Sequence, residues 1–164
     1  LLHEPYRVSR ETGHMERQKD GAWLSADSFD EALTVFDLLC DASPARCASG
    51  QWKTTLQFGN QVHSALVESE RAGPLELLFD KQPQLLGAAC ARLGGAAMDG
   101  ADLAYSLPFF EDLRIAVQFW HGDDEFAPRL RFLWDANADR YLKYETMYYA
   151  IGLLRTRLRE YAHP

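Results

Sequence analysis

The stretch Leu113–Asp135, LRIAVQFWHGDDEFAPRLRFLWD, decides the reading of the fold. Leu113, Ile115, Val117 and Phe119 alternate with Arg114, Ala116, Gln118 and Trp120. Further on, Leu130, Phe132 and Trp134 alternate with Arg129, Arg131 and Leu133. A period of two is that of a strand with one buried face. Joined by His121–Pro128, the two runs make a ribbon whose connection is too long for a tight two-residue turn and has room for a site. The chain is therefore expected to be α+β: a mostly antiparallel sheet with helices packed on one side and a C-terminal helix near the loop.

Downstream of the ribbon, Asp135-Ala-Asn-Ala-Asp139 supplies capping residues for a turn around Arg140–Leu142. A last helix over about Glu145–Tyr161 carries Met147, Ile151, Leu154, Leu158 and Tyr161 at helical spacing. Arg155, Arg157 and Arg159 collect toward its C-terminus, where the helix dipole favours cations.

Upstream, Thr12-Gly13 and Asp20-Gly21 mark turns between short strands at Tyr6–Ser9, His14–Arg17 and Ala22–Leu24. Ser28 with Glu31 three residues on is a capping-box pattern. The helix it opens is expected to bury Phe29, Ala32, Leu33, Phe36, Leu39 and Cys40, and to stop near Pro44. A loop and short strand follow over 47–58, with a bend at Gly50-Gln51-Trp52. A helical turn is expected within Asn60–Gly73, with Val62, Leu66 and Val67 partly inward. Pro74–Phe79 starts another helix. Pro83–Leu93 forms a better one, with Pro at its first position, an apolar stripe of Leu86, Ala89, Cys90 and Leu93, and a stop at Gly94-Gly95. A strand from Asp102 to Leu107 is expected to end at Pro108, and Glu111-Asp112 turns the chain into the ribbon.

With 164 residues the chain suits one domain, 1–24 being N-terminal strands and 25–161 the core. Hydrophobic residues at 47% and charged residues at 25% are ordinary for a soluble protein. Against 17 Lys and Arg stand 24 Asp and Glu, a net charge of −7, which argues against nucleic acid or an anionic membrane as partner. No apolar run approaches the ~20 residues that span a bilayer. Cys40, Cys47 and Cys90 are too few and too scattered for a disulfide framework, so a reducing, cytoplasmic setting is expected, with Cys40 and Cys90 buried.

The sharpest chemical feature is the loop. Asp123, Asp124 and Glu125 are consecutive carboxylates, Asp135 ends the returning strand, and Glu145 opens the last helix. If ribbon and lid converge, these oxygens suit Mg²⁺, Ca²⁺ or Mn²⁺, and His121 at the edge shifts the preference toward Zn²⁺ or Fe²⁺. The bland alternative is a solvated turn in which Asp123 is a cap, Glu125 pairs with Arg129 or Arg131, and Glu145 answers the helix dipole. Three classes stay open. One is a domain binding a metal ion or small ligand through His121, Asp123, Asp124, Glu125, Asp135 and Glu145. Another is an enzyme with Asp124 or Glu125 as base and His121 as acid. The third is a structural or protein-interaction domain. Cys47 beside Arg46 is the one thiol expected to be exposed. Among the aromatics Trp120, Phe126, Trp134, Tyr141, Tyr144, Tyr148 and Tyr149, most are expected to be core. No GxSxG, HxxxH or CxxC pattern occurs. GDDEF is similar to the GGDEF signature of diguanylate cyclases, but no upstream aspartate-bearing strand in a matching context supplies the second metal ligand such cyclases need, so that reading is rejected.

Phe119-Trp120, Gly122-Asp123-Asp124-Glu125-Phe126, Asp135, Tyr141-Leu142 and Glu145 together resemble the domain-of-unknown-function family 3786, found mainly in anaerobic bacteria and archaea. The match departs at Ala127-Pro128, where Pro comes one residue late, and at Trp134, where Phe is usual. Leu93-Gly94-Gly95 and Ser49-Gly50-Gln51-Trp52 are further landmarks, so the resemblance covers most of 25–160. It implies, by association, redox metabolism with an iron–sulfur or corrinoid protein as partner. It carries over no catalytic residue.

Overall fold

The computed structural model describes residues 1–59 and 72–162. The helical turn expected around Val62, Leu66 and Val67 lies outside them. The N-terminal residues form an antiparallel sheet of β1 (Tyr6–Val8), β2 (Met15–Lys19) and β3 (Ala22–Ser25), with β2 in the middle. Its turns fall at the expected glycines. Asp20 and Gly21 both take positive φ, 49° and 84°, as a type I′ hairpin requires.

Helix α1 (Phe29–Phe36) starts as expected, with Ser28 Oγ accepting from the Glu31 N–H at 3.3 Å. The return half of the capping box does not form, because the Glu31 side chain accepts from Tyr6 and Arg157 instead. The expected inward face is also overturned. Phe29, Phe36 and Leu39 are 67, 54 and 63% exposed, and Cys40 is exposed. Glu31, Thr34, Val35, Asp37 and Leu38 are buried instead. The helix is rotated so that Glu31 meets the buried Arg157, and it widens to a π-turn over Asp37–Asp41 before ending ahead of Pro44.

The second sheet has five antiparallel strands in the order β4-β8-β7-β6-β5. They are β4 (Trp52–Lys53), β5 (Ala96–Ala97), β6 (Leu103–Phe110), β7 (Leu113–Trp120) and β8 (Arg129–Asp135). The ribbon read from the sequence is β7–β8, in register from Ile115 opposite Trp134 to Trp120 opposite Arg129. β6 does not stop at Pro108. It continues to Phe110 through a register shift between Pro108 and Phe110, the kind of irregularity where a missing N–H is tolerated.

Helices α2 (Pro74–Lys81), α3 (Pro83–Arg92) and α4 (Tyr144–Ala162) cover one face of this sheet. The stripe Leu86, Ala89, Cys90 and Leu93 of α3 is fully buried, as expected, against Leu107, Phe109, Ile115 and Val117. α3 stops at Gly94 (φ +71°), where the Gly95 N–H reaches back to the Cys90 carbonyl at 2.8 Å. Met147, Leu154 and Leu158 of α4 are fully buried in the same core. Arg157, one of the three arginines near the C-terminus of α4, is buried. The architecture is α+β, and no helix among the described residues is long and apolar enough to cross a membrane.

Candidate functional site

The six acidic-loop candidates do not converge. Asp135 lies at the far end of β8 from the loop, opposite Trp52 on β4, about 20 Å away at ~3.3 Å per strand residue. It is buried and accepts from the N–H groups of Ser49, Gly50 and Asn137 and from Ser49 Oγ, at 2.7–3.0 Å. Burial raises its pKa, but these backbone donors outweigh burial and leave the carboxyl below its ordinary value. It anchors the 47–52 loop. Glu145 stands exposed in the first turn of α4. Among the described residues no three His, Cys, Asp or Glu side chains gather around one ion.

At the hairpin end the geometry is local. Asp123 Oδ1 accepts from the N–H of Phe126 at 2.7 Å and of Glu125 at 2.8 Å, which caps the turn and lowers the Asp123 pKa. Gly122 sits so close to Pro128 that a Cβ there would meet the proline ring at 2.7 Å. Asp124, Glu125 and Phe126 are exposed, Phe126 at 70%. The side chains of Asp124 and Glu125 have no ion-pair partner among the described residues.

His121 is the candidate that the fold does orient. Its Nδ1 donates to Asp80 Oδ1 at 2.9 Å, and the same oxygen accepts from the Gly122 N–H at 3.1 Å. The His121 N–H is held by Asp102 at 2.9 Å, and Phe119 meets the imidazole edge-on at 5.2 Å. The His121 bond, followed by the Gly122 N–H, depresses the Asp80 pKa. Nε2 has no hydrogen-bond partner among the described residues, on a side chain 42% exposed. Sequence reasoning missed Asp80 and Asp102. Asp80 lies 41 residues before His121, in the last turn of α2, where nothing local marks it.

A second polar site was not anticipated at all. Glu4, Arg17, Glu31 and Arg157 are buried together where β2, α1 and α4 meet. Arg17 donates to Glu4 at 2.9 Å and to Glu160 at 2.8 and 3.0 Å. Arg157 donates to Glu4 at 3.0 Å, to Tyr6 at 3.2 Å and to Glu31. Burial drives the Tyr6 hydroxyl pKa far up. A cavity of about 250 Å³ opens beside this network.

The thiols are unpaired. Cys90 is buried as expected, which pushes its pKa up to about 12. Cys47 is exposed as expected, but the cation beside its Sγ, at 3.8 Å, is Arg140. The adjacent Arg46 is spent on Glu111.

Over 128 residues, 76% of the chain, the sequence is 25% identical to the tRNA (guanosine(18)-2′-O)-methyltransferase of Saccharomyces cerevisiae. The chain spans 9% of that protein's length. No solved structure matches it. The model of DUF3786, a domain of unknown function, matches residues 1–157, N-terminal strands included, and the chain belongs to that family.

Proposed function

We propose that this is a binding domain whose contact point is the free end of the β7–β8 hairpin, taking a divalent metal ion or a small cationic ligand. His121 offers Nε2, and Asp124 and Glu125 offer exposed carboxylates. Since no three of these groups surround one point among the described residues, a metal ion would take at most two of them and complete its shell with water. Asp123 holds the turn through Oδ1. The observation that supports this reading is the His121–Asp80 pair. An imidazole that ligates through one nitrogen is commonly fixed by a carboxylate on the other, which sets its tautomer and raises its basicity. Asp135 and Glu145 drop out of the ligand set because the fold places them elsewhere. The proposed compartment is the cytoplasm, supported by three free thiols. A link to anaerobic redox proteins rests on the family resemblance alone. The methyltransferase likeness would bring RNA as a partner, which an excess of carboxylates over cations does not favour.

The test is elemental analysis of anaerobically purified protein, together with NMR of the His121 ring during titration with Zn²⁺, Mn²⁺ and Mg²⁺. Binding should shift the ring signals, and Asp124→Asn with Glu125→Gln should abolish the response. No retained metal and an unmoved His121 signal in all three titrations would refute the metal arm. An equally silent titration with small amines would refute the site.

A further inference from the structure

We propose that the groove between β1, the end of α1 with its π-turn, and the end of β6 is a second binding site, for a small monocarboxylic acid with an unbranched apolar chain. Its volume is about 570 Å³, inside the roughly 300–1,000 Å³ of small-molecule sites. The walls are apolar: Tyr6 and Val8 from β1, Val35, Leu38 and Leu39 from the helix and its π-turn, and Phe110 from β6. Val35 and Leu38 are themselves buried, whereas Val8 and Leu39 are 41 and 63% exposed. Apolar side chains left in water on both walls of a groove gain burial only when something apolar lies between them.

Charge selects the guest. Glu4 also lines the groove, but its carboxylate takes donors from Arg17, Arg157 and Tyr161, so its charge is balanced. The Tyr6 hydroxyl is given to Glu31, and the Leu1 ammonium donates to the Glu4 carbonyl at 3.0 Å. Arg10 is left. It lines the groove, is exposed, and has no hydrogen bond or ion pair among the described residues. Arg7 on the same strand is, by contrast, paired with Glu16. A cation with open donors beside an apolar groove fits a guest with a carboxylate at one end and hydrocarbon at the other.

A free acid suits this groove better than a peptide. β1 is three residues long and lies at the edge of its sheet, too short to hold an extended chain by backbone hydrogen bonds. A peptide would also bring N–H and C=O groups against walls whose own polar groups, Arg10 apart, are already engaged.

The experiment is titration of the whole chain with butanoate, hexanoate and octanoate, followed by amide NMR and calorimetry. Octan-1-ol and octylammonium are the uncharged and oppositely charged controls, and an acetylated peptide ending in a free leucine carboxylate tests the other occupant. The expected result is saturable binding that moves the amides of Val8, Leu38 and Leu39 and tightens about fourfold per added methylene. Octylammonium should bind more weakly than octanoate. Arg10→Gln should weaken octanoate about fivefold, the upper range for an exposed ion pair, and leave octan-1-ol unchanged. Leu39→Gln, at a position outside the core, should weaken octanoate and octan-1-ol alike. Unmoved groove amides up to about 10 mM octanoate, an affinity that ignores chain length, or binding that ignores Arg10→Gln would overturn the proposal. Tighter binding of the peptide than of octanoate would overturn the choice of a free acid.

Discussion

Replacing Asp135 by Asn separates a scaffold role from a ligand role for that residue. The carboxylate is 3% exposed and takes four donors on two oxygens: Ser49 N and Oγ, Gly50 N and Asn137 N. Asn keeps the shape but offers one acceptor oxygen, and its amide nitrogen must face at least one of these N–H groups. A hydrogen bond to a charged group contributes about 1.5–3 kcal/mol, and a buried donor left without an acceptor costs about 1–3 kcal/mol. The expected loss is about 2–4 kcal/mol. At roughly 2–4 °C per kcal/mol for a chain of this size, the melting temperature should fall by about 5–15 °C. Urea unfolding with an unchanged m-value and a lowered midpoint is the assay. Asp123→Asn, at an exposed turn with two backbone donors, should move the urea midpoint much less than Asp135→Asn does. A loss at Asp135 below about 0.5 kcal/mol would refute the anchoring argument.

The same residue carries a pH signature whose sign is fixed. Its folded pKa lies below the unfolded value, so its stabilisation is complete above the ordinary Asp pKa, about 3.9, and disappears as pH falls through the lower folded value. The stability gap between parent and Asp135→Asn should therefore be constant near neutrality and close on acidification below about pH 4.

Two further outcomes follow from the buried network and the rotated helix. Arg157→Met strands Glu4 and Glu31 without their shared cation and should cost about 3–5 kcal/mol in urea unfolding, with much of it recovered when both glutamates become Gln. Phe36→Ser and Leu39→Ser should each change stability by no more than about 0.5 kcal/mol, whereas Leu38→Ala, between them in sequence but buried, should cost about 2–5 kcal/mol. Melting curves of the three variants check the helix orientation directly.

The sheet was legible because its signal is local. Alternation from Leu113 to Trp120 and from Arg129 to Asp135 set both strands of the ribbon, and Asp20-Gly21, Pro83 and Gly94 punctuated the chain where the backbone turns. Pro108 misled because a proline ends a regular ladder but not one that shifts register there. The candidate site was legible only in part. His121 was singled out for its type and place, but its orienting partner Asp80 comes from a different helix. Asp135 looked like a ligand because it shares a ribbon with the loop, and a strand carries its two ends apart.

Helix α1 shows why composition failed at the network. Read alone, the stripe through Phe29, Phe36 and Leu39 is the apolar face, and exposing such side chains forgoes about 1.5–3 kcal/mol each. Burying them would instead turn Glu31 outward and leave Arg157 in the core without that carboxylate, a deeper loss for a charge already removed from water. The ion pairs win, and Val35 and Leu38 supply the apolar contact on the face that remains. The partners that decide this stand 126 residues apart, at Glu31 and Arg157, and 153 apart, at Glu4 and Arg157. No window short enough to show helical periodicity contains both. The cavity beside that network is a consequence of the same choice, since the orientation of α1 puts Asp30 and Glu31 in the wall it shares with β2 and α4.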